Sequence, residues 1–104
     1  MAHEFVVPID EDLLTEDVVK FAEVASQCII TYARKNNDYG NSFDKGMDDL
    51  GLAYGIGRLY DKMNRVLTLT KVKQAVQDEN IGDTLLDMAC YSIMLYKYLQ
   101  NKKQ

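Results

Sequence analysis

A chain of 104 residues has room for one domain and none for a second, and folding at this size buries roughly two thirds of the surface that the unfolded chain exposes. With 47% hydrophobic and 27% charged residues, the composition is globular and excludes a chain that stays disordered for want of apolar surface. A net charge of −4 excludes binding to DNA by bulk charge, yet a local basic patch can still hold a phosphate, because a small ligand feels the field within a Debye length of about 8 Å.

Six Gly, one Pro and few β-branched runs predict an all-α fold, a small bundle of about three main helices with an extended N-terminal arm. The division is an arm over 1–14, a helical core over 15–99 and a solvated tail over 100–104. The first residues, Met1 to Pro8, lack the positive start and long apolar core of a signal peptide. No run approaches the ~20 apolar residues that span a bilayer, so a cytoplasmic protein is expected. Within the arm, Pro8 holds Val7 out of the α region and offers no amide donor, which predicts an extended segment that packs on a partner subunit.

After the acidic turn Asp10-Glu11-Asp12, Thr15 is the expected N-cap of the first helix, with Glu16 and Asp17 complementing the positive end of its dipole. Val18, Phe21, Ala22, Ala25, Ile29 and Tyr32 recur at helical spacing as its buried stripe, and the helix is expected to end near Asn36-Asn37. The segment 36–45, rich in Asn and Gly, reads as a structured loop. Within it Asp38-Tyr39-Gly40 suits either a helix-terminating turn whose Tyr plugs the core or a ligand contact.

The second helix is expected from about Lys45 to Leu67, with Leu52, Ile56, Leu59, Met63 and Val66 as a buried stripe. A connector follows over 68–77. The third helix, from about Asp78 to Leu99, is apolar on nearly every side between Ile81 and Tyr96 and is expected to be the most buried. Cys28 and Cys90 fall in apolar helical stretches and read as reduced core residues. The only histidine, His3, is terminal, so zinc sites and Ser-His or Cys-His nucleophilic machinery are excluded.

On the third helix Glu79, Asp83 and Asp87 recur every four residues, so their carboxylates line one edge about 6 Å apart. On so apolar a helix Asp83 and Asp87 call for compensating charge. A magnesium ion would serve, taking carboxylate oxygens together with water and substrate phosphate, and so would arginine. On the second helix Arg58, Asp61, Lys62 and Arg65 share an arc of about 100° opposite the leucine stripe, with Gly51, Tyr54 and Gly55 one or two turns earlier. Guanidinium groups bind phosphate oxygens bidentately, and Tyr39 or Tyr54 is placed to stack on a base. The same faces also fit an interhelical salt-bridge network with no ligand. Glu23, off the first helix's stripe, is either solvated or a further metal ligand.

Lys35-Asn36-Asn37-Asp38-Tyr39-Gly40, Phe43, Asp61-Lys62-Met63-Asn64-Arg65, Asp78-Glu79 and Asp83-Thr84-Leu85-Leu86-Asp87 with Tyr91 together resemble the nucleotide modification associated domain, first type, over roughly Phe21 to Tyr98. Asn80 and Cys90 depart from that pattern. The family is small, helical and common in bacteriophages, and the resemblance implies work on nucleotides rather than on polymeric DNA. It adds Lys35 and Asp38 to Tyr39, Tyr54, Arg58, Lys62 and Arg65 as nucleotide-binding candidates. A looser similarity, to all-helical MazG-type nucleoside triphosphate pyrophosphohydrolases, rests on Glu79 and Asp83 and lacks that family's glutamate cluster on the preceding helix.

Three functions are compatible with these readings. One is magnesium-dependent hydrolysis of a phosphoanhydride, with Asp61, Glu79, Asp83 and Asp87 on the metal and Asp83 or Asp87 as base. Another is sequestration of a nucleotide or nucleotide derivative, and the third is a structural bundle. The apolar surface of three such helices exceeds what a lone bundle covers, so a homo-oligomer is expected.

Overall fold

The computed structural model describes residues 6–39, 41–71 and 74–102, the side chains of 36–39 and 74–80 excepted. Four α-helices carry these residues, α1 Glu16–Tyr39, α2 Ser42–Leu50, α3 Leu52–Leu69 and α4 Gln74–Lys102, after a 3-10 turn at Glu11–Leu13. The protein is all-α, as its composition implies. Residues 6–10 form no regular element, and Val6 and Val7 of the arm are exposed at 82% and 76%.

Thr15 Oγ1 accepts the backbone N–H of Val18 at 3.2 Å, the N-cap bond anticipated for α1. The helix then runs on through Asn36-Asn37 to Tyr39. Asn costs a helix only some tenths of a kcal/mol per residue, too little to stop one of this length. The single helix expected from Lys45 to Leu67 is two. Gly51, at φ 77 and ψ −166, closes α2 by donating its N–H to the Met47 carbonyl at 2.8 Å, in a backbone region that is essentially open to glycine alone. Most of the connector expected over 68–77 is also helical, since α3 ends at Leu69 and α4 begins at Gln74.

Helix α4 is the hub, packed along α3 and crossed by α1, while α2 folds back on α3. Gly55 permits the close α3–α4 approach, because a Cβ there would lie 2.7 Å from Leu95 Cδ1 and 3.0 Å from Met47 Sδ. Tyr98 donates to Asp48 at 2.5 Å and Lys102 pairs with the same carboxylate at 3.3 Å, tying α2 to the last turns of α4. The chain therefore remains helical and paired at Lys102, inside what the sequence marks as tail.

The core is small. Among the described residues only Cys28, Phe43, Met47, Gly55, Thr84 and Cys90 are buried. Both cysteines are free, as expected, and the Cys90 thiol donates to the Cys28 carbonyl at 3.7 Å. The stripes expected to form the core are largely uncovered. Phe21 and Ile29 of α1 are 77% and 59% exposed, and Leu52, Ile56 and Met63 of α3 lie between 45% and 52%. Burial against α4 runs through Gly55, Leu59, Lys62 and Val66 of α3, so that Leu59 and Val66 of the expected stripe are half-buried while its other three members lie to one side of the contact. No helix of the described residues is long and apolar enough to cross a membrane.

Candidate functional site

Where α1, α2, α3 and α4 converge they leave an open cavity of about 380 Å³, within the range of small-molecule sites. Thr31, Tyr32 and Lys35 of α1 form one side, Ser42 and Phe43 of α2 another, Tyr54 and Arg58 of α3 a third, and Asp87, Cys90, Tyr91 and Met94 of α4 the floor.

Asp87 organises the charges. Its Oδ2 lies 3.3 Å from Lys62 Nζ and its Oδ1 3.5 Å from Lys35 Nζ, so cations from two different helices grip one carboxylate. One turn further along α4, Tyr91 accepts a 2.8 Å hydrogen bond from Arg58 Nη2. The same guanidinium carbon lies 5.2 Å from the centre of the Tyr91 ring, within cation–π range. Tyr91 thereby holds Arg58 at the rim, and the bond raises the arginine's pKa further, keeping it charged. Lys35 and Arg58 line the cavity with Asp87 as the one described carboxylate on it, and Lys62 adds a third cation through Asp87 while Asp61 acts on Arg58 from outside, so the cavity is net positive.

Beside these charges lies an aromatic cluster. Phe43 packs against Tyr54 with ring centroids 5.6 Å apart and against Tyr91 at 6.1 Å, both pairs tilted, in the spacing favoured by aromatic pairs. Across α1, Lys97 donates to the Tyr32 hydroxyl at 3.0 Å and sits 5.3 Å from that ring's centre. Tyr32 is thus fixed from the far side of the cavity. Burial, followed by the neighbouring Cys28, pushes the Cys90 thiol up to about 11, so it is an uncharged floor group at neutral pH and no nucleophile.

Of the residues singled out in the sequence, Lys35, Tyr54, Arg58 and Asp87 line the cavity and Lys62 joins it through Asp87. Arg65 is exposed and does not line it, and the same holds for Asp61 and Asp83. Glu23 is exposed on α1. The side chains of Asp38, Tyr39 and Glu79 lie outside the described residues. The compensating charge for Asp87 comes from lysines rather than from arginine, and Asp83 faces water. Among the described residues no three His, Cys, Asp or Glu side chains are grouped to hold a metal ion; Asp87 is the one described carboxylate on the cavity, and two ammonium groups already contact it.

Thr31, Tyr32, Ser42, Cys90 and Met94 also line the cavity without having stood out as binding candidates in the sequence, and Phe43 and Tyr91 join them from the family pattern. Tyr91 carried a usable signal, since it follows Asp87 by four residues and so shares its face of the helix. Phe43 stood in the sequence only as part of the family pattern, because its place opposite Tyr54 depends on the break at Gly51.

A model of the family described as nucleotide modification associated domain 1 matches the chain over residues 35–96. The matched span takes in every charged group of the cavity and the Phe43, Tyr54 and Tyr91 rings, and leaves Thr31 and Tyr32 outside. No curated protein and no solved structure matches the chain.

Proposed function

Since the chain belongs to the nucleotide modification associated domain 1 family, we propose that the cavity between its four helices binds a nucleotide that ends in a phosphomonoester. The observation that carries this reading is the pairing of a cationic rim, Lys35, Arg58 and Lys62, with the aromatic wall of Phe43, Tyr54 and Tyr91 in one cavity of mononucleotide scale. A phosphomonoester carries about −1.5 to −2 charges at neutral pH, opposite in sign to the cationic rim. Arg58 takes phosphate oxygens through its free N–H groups while Tyr91 keeps it aimed. The base lies against the aromatic wall, where stacking contributes roughly 1–3 kcal/mol. Thr31 and Ser42 offer hydroxyls to sugar or base edge.

The Lys35–Asp87–Lys62 bridge alone would equally suit a structural bundle. The adjoining cavity and rings favour a ligand. Magnesium has a place in this reading as an ion that arrives with the phosphates of a longer nucleotide, which supply its remaining oxygen ligands, with Asp87 as the carboxylate on the cavity. A hydrolytic version adds attack of a water on a phosphorus of a phosphoanhydride, with the bridging P–O bond breaking and the leaving phosphate departing as an anion. It makes Asp87 the base that takes the water's proton once the phosphates have drawn Lys35 and Lys62 away from it; a sequestering version stops at binding.

The test is calorimetric titration of mono-, di-, tri- and cyclic nucleotides, with and without magnesium, followed by chromatography of the recovered nucleotide. Binding that falls at least ~10-fold in Arg58→Ala, the loss of one charge-assisted contact, supports the site. Product formation that requires magnesium and disappears in Asp87→Ala selects hydrolysis over sequestration. Heat from no nucleotide at all would sink the reading.

A further inference from the structure

The cavity uses the inner faces of the helices and leaves the outer ones unexplained. On α3, Leu52, Ile56, Tyr60, Met63 and Leu67 follow one another at four, four, three and four residues, and each is between 45% and 65% exposed. At about 100° per residue they fill an arc of roughly 80° along some 22 Å of helix. No charged side chain interrupts it, since Arg58, Asp61, Lys62 and Arg65 all fall on the other side. On α1 the face that α4 covers at Cys28 is bare one and two turns earlier, where Val24 and Phe21 are 48% and 77% exposed.

The areas say how large a partner is missing. The chain exposes 8542 Å², whereas a folded monomer of 11.9 kDa exposes about 6000 Å². Its radius of gyration is 16.2 Å against about 13 Å for a compact domain of this length. The excess is about 2500 Å². Even halved to allow for the extended arm, it exceeds the roughly 800 Å² that each partner gives to a standard interface and falls in the obligate class.

We propose that the protein is an obligate homodimer in which the α3 stripe of one copy packs antiparallel on the same stripe of a second copy, about a two-fold axis close to Tyr60. A second copy is the occupant these observations favour for two reasons. The stripe is apolar and uncharged along its whole length, so it is complementary to itself, as a two-fold contact requires, and two chains of charge −4 meet on it without opposing charges. The core is also small for the helices it holds, so the partner has to be present in equal amount whenever the chain folds, a condition that another copy meets by itself.

Sedimentation of the full chain from ~1 to ~100 μM tests this, with melting followed over the same range. The expected result is a mass of twice 11.9 kDa and a melting temperature that rises with concentration. A folded monomer at every concentration, or a monomer bound one to one to a foreign protein, overturns the proposal. Ile56→Glu with Met63→Glu buries four unpaired charges in the contact, two from each copy, and is expected to weaken dimerisation at least ~100-fold; a dimer of unchanged mass and melting in that variant removes α3 as the interface. Because the double variant can fail to fold, Tyr60→Cys provides a second reading. Oxidation is expected to join two chains through that residue, the native cysteines being buried, and absence of the crosslink in a folded protein counts against the axis at Tyr60.

Discussion

Lys62 of α3 and Asp87 of α4 face each other at 3.3 Å, with only 27% and 31% of their side chains exposed. Lys35 approaches the same carboxylate from α1 at 3.5 Å and is itself 57% exposed. Asp87 therefore does two jobs, joining three helices and setting the charge of the cavity.

Asp87→Asn separates the two roles. Loss of the bridge is expected to cost about 1 kcal/mol, between the values for surface and buried pairs, measured by urea denaturation. The cost shrinks in ~1 M salt, where the Debye length is about 3 Å. The cavity gains one positive charge, so orthophosphate, followed by calorimetry, binds the variant more tightly than the wild type. Weaker phosphate binding would show that Asp87 contributes through something other than its charge.

Tyr91→Phe keeps the ring against Phe43 and beneath Arg58 while deleting the acceptor for the 2.8 Å bond. Stability should fall by less than about 1 kcal/mol, since the bond is exposed to water. Nucleotide affinity should fall several-fold, because the guanidinium loses the group that aims it. Tyr91→Leu removes the ring as well and is expected to weaken binding further; equal affinities for the two variants would deny the ring a role.

Two glycine substitutions form a matched pair. A Cβ at Gly46 would lie 2.5 Å from Tyr54 Cζ, so Gly46→Ala has to push that ring off the aromatic wall. Gly82 meets nothing within 4 Å, and Gly82→Ala is expected to stabilise α4 by roughly 0.5–1 kcal/mol through helix propensity. Calorimetry with nucleotide should register the first substitution and not the second, and thermal melting should show opposite signs.

The Cys90 thiol gives an alkaline signature. Its pKa rises from the ordinary 9.0 to about 11 in the folded protein, so the unfolded chain releases this proton first. The stabilisation is complete below pH 9 and is lost as pH climbs through about 11, by on the order of 2 kcal/mol. Comparing denaturation of wild type and Cys90→Ala across that window isolates the contribution from other alkaline titrations. Iodoacetamide at neutral pH should label neither cysteine until the protein unfolds.

Local features of the fold were legible wherever one interaction decides them. Thr15 was readable as a cap because the bond to Val18 spans three residues, and the shared arc of Arg58 and Lys62 followed from helical geometry alone. Asp83 and Asp87 were read as equivalents, yet a 40° drift and one turn of rise place one in water and the other between two lysines. The stripe expected on α3 is split, Leu59 and Val66 turning toward α4 while Leu52, Ile56 and Met63 stay exposed, since periodicity reports that a face needs cover and is silent on what covers it. Gly51 and Gly55 look alike in sequence; only the pull of α2 back onto α3 makes the first a break and the second a contact.

That break has a consequence for the chemistry. Phe43 and Tyr54 are eleven residues apart, which in an unbroken helix would put them about 16 Å from each other and some 20° apart around the axis, pointing the same way and never meeting. The torsion at Gly51 turns that separation into a 5.6 Å ring pair. The ring pair that lines the cavity is thus encoded by a residue that touches neither ring, and whose own added methyl would meet open space. A survey of cavity-lining substitutions would pass over Gly51, although the backbone angle it permits is what makes an aromatic wall out of two distant side chains.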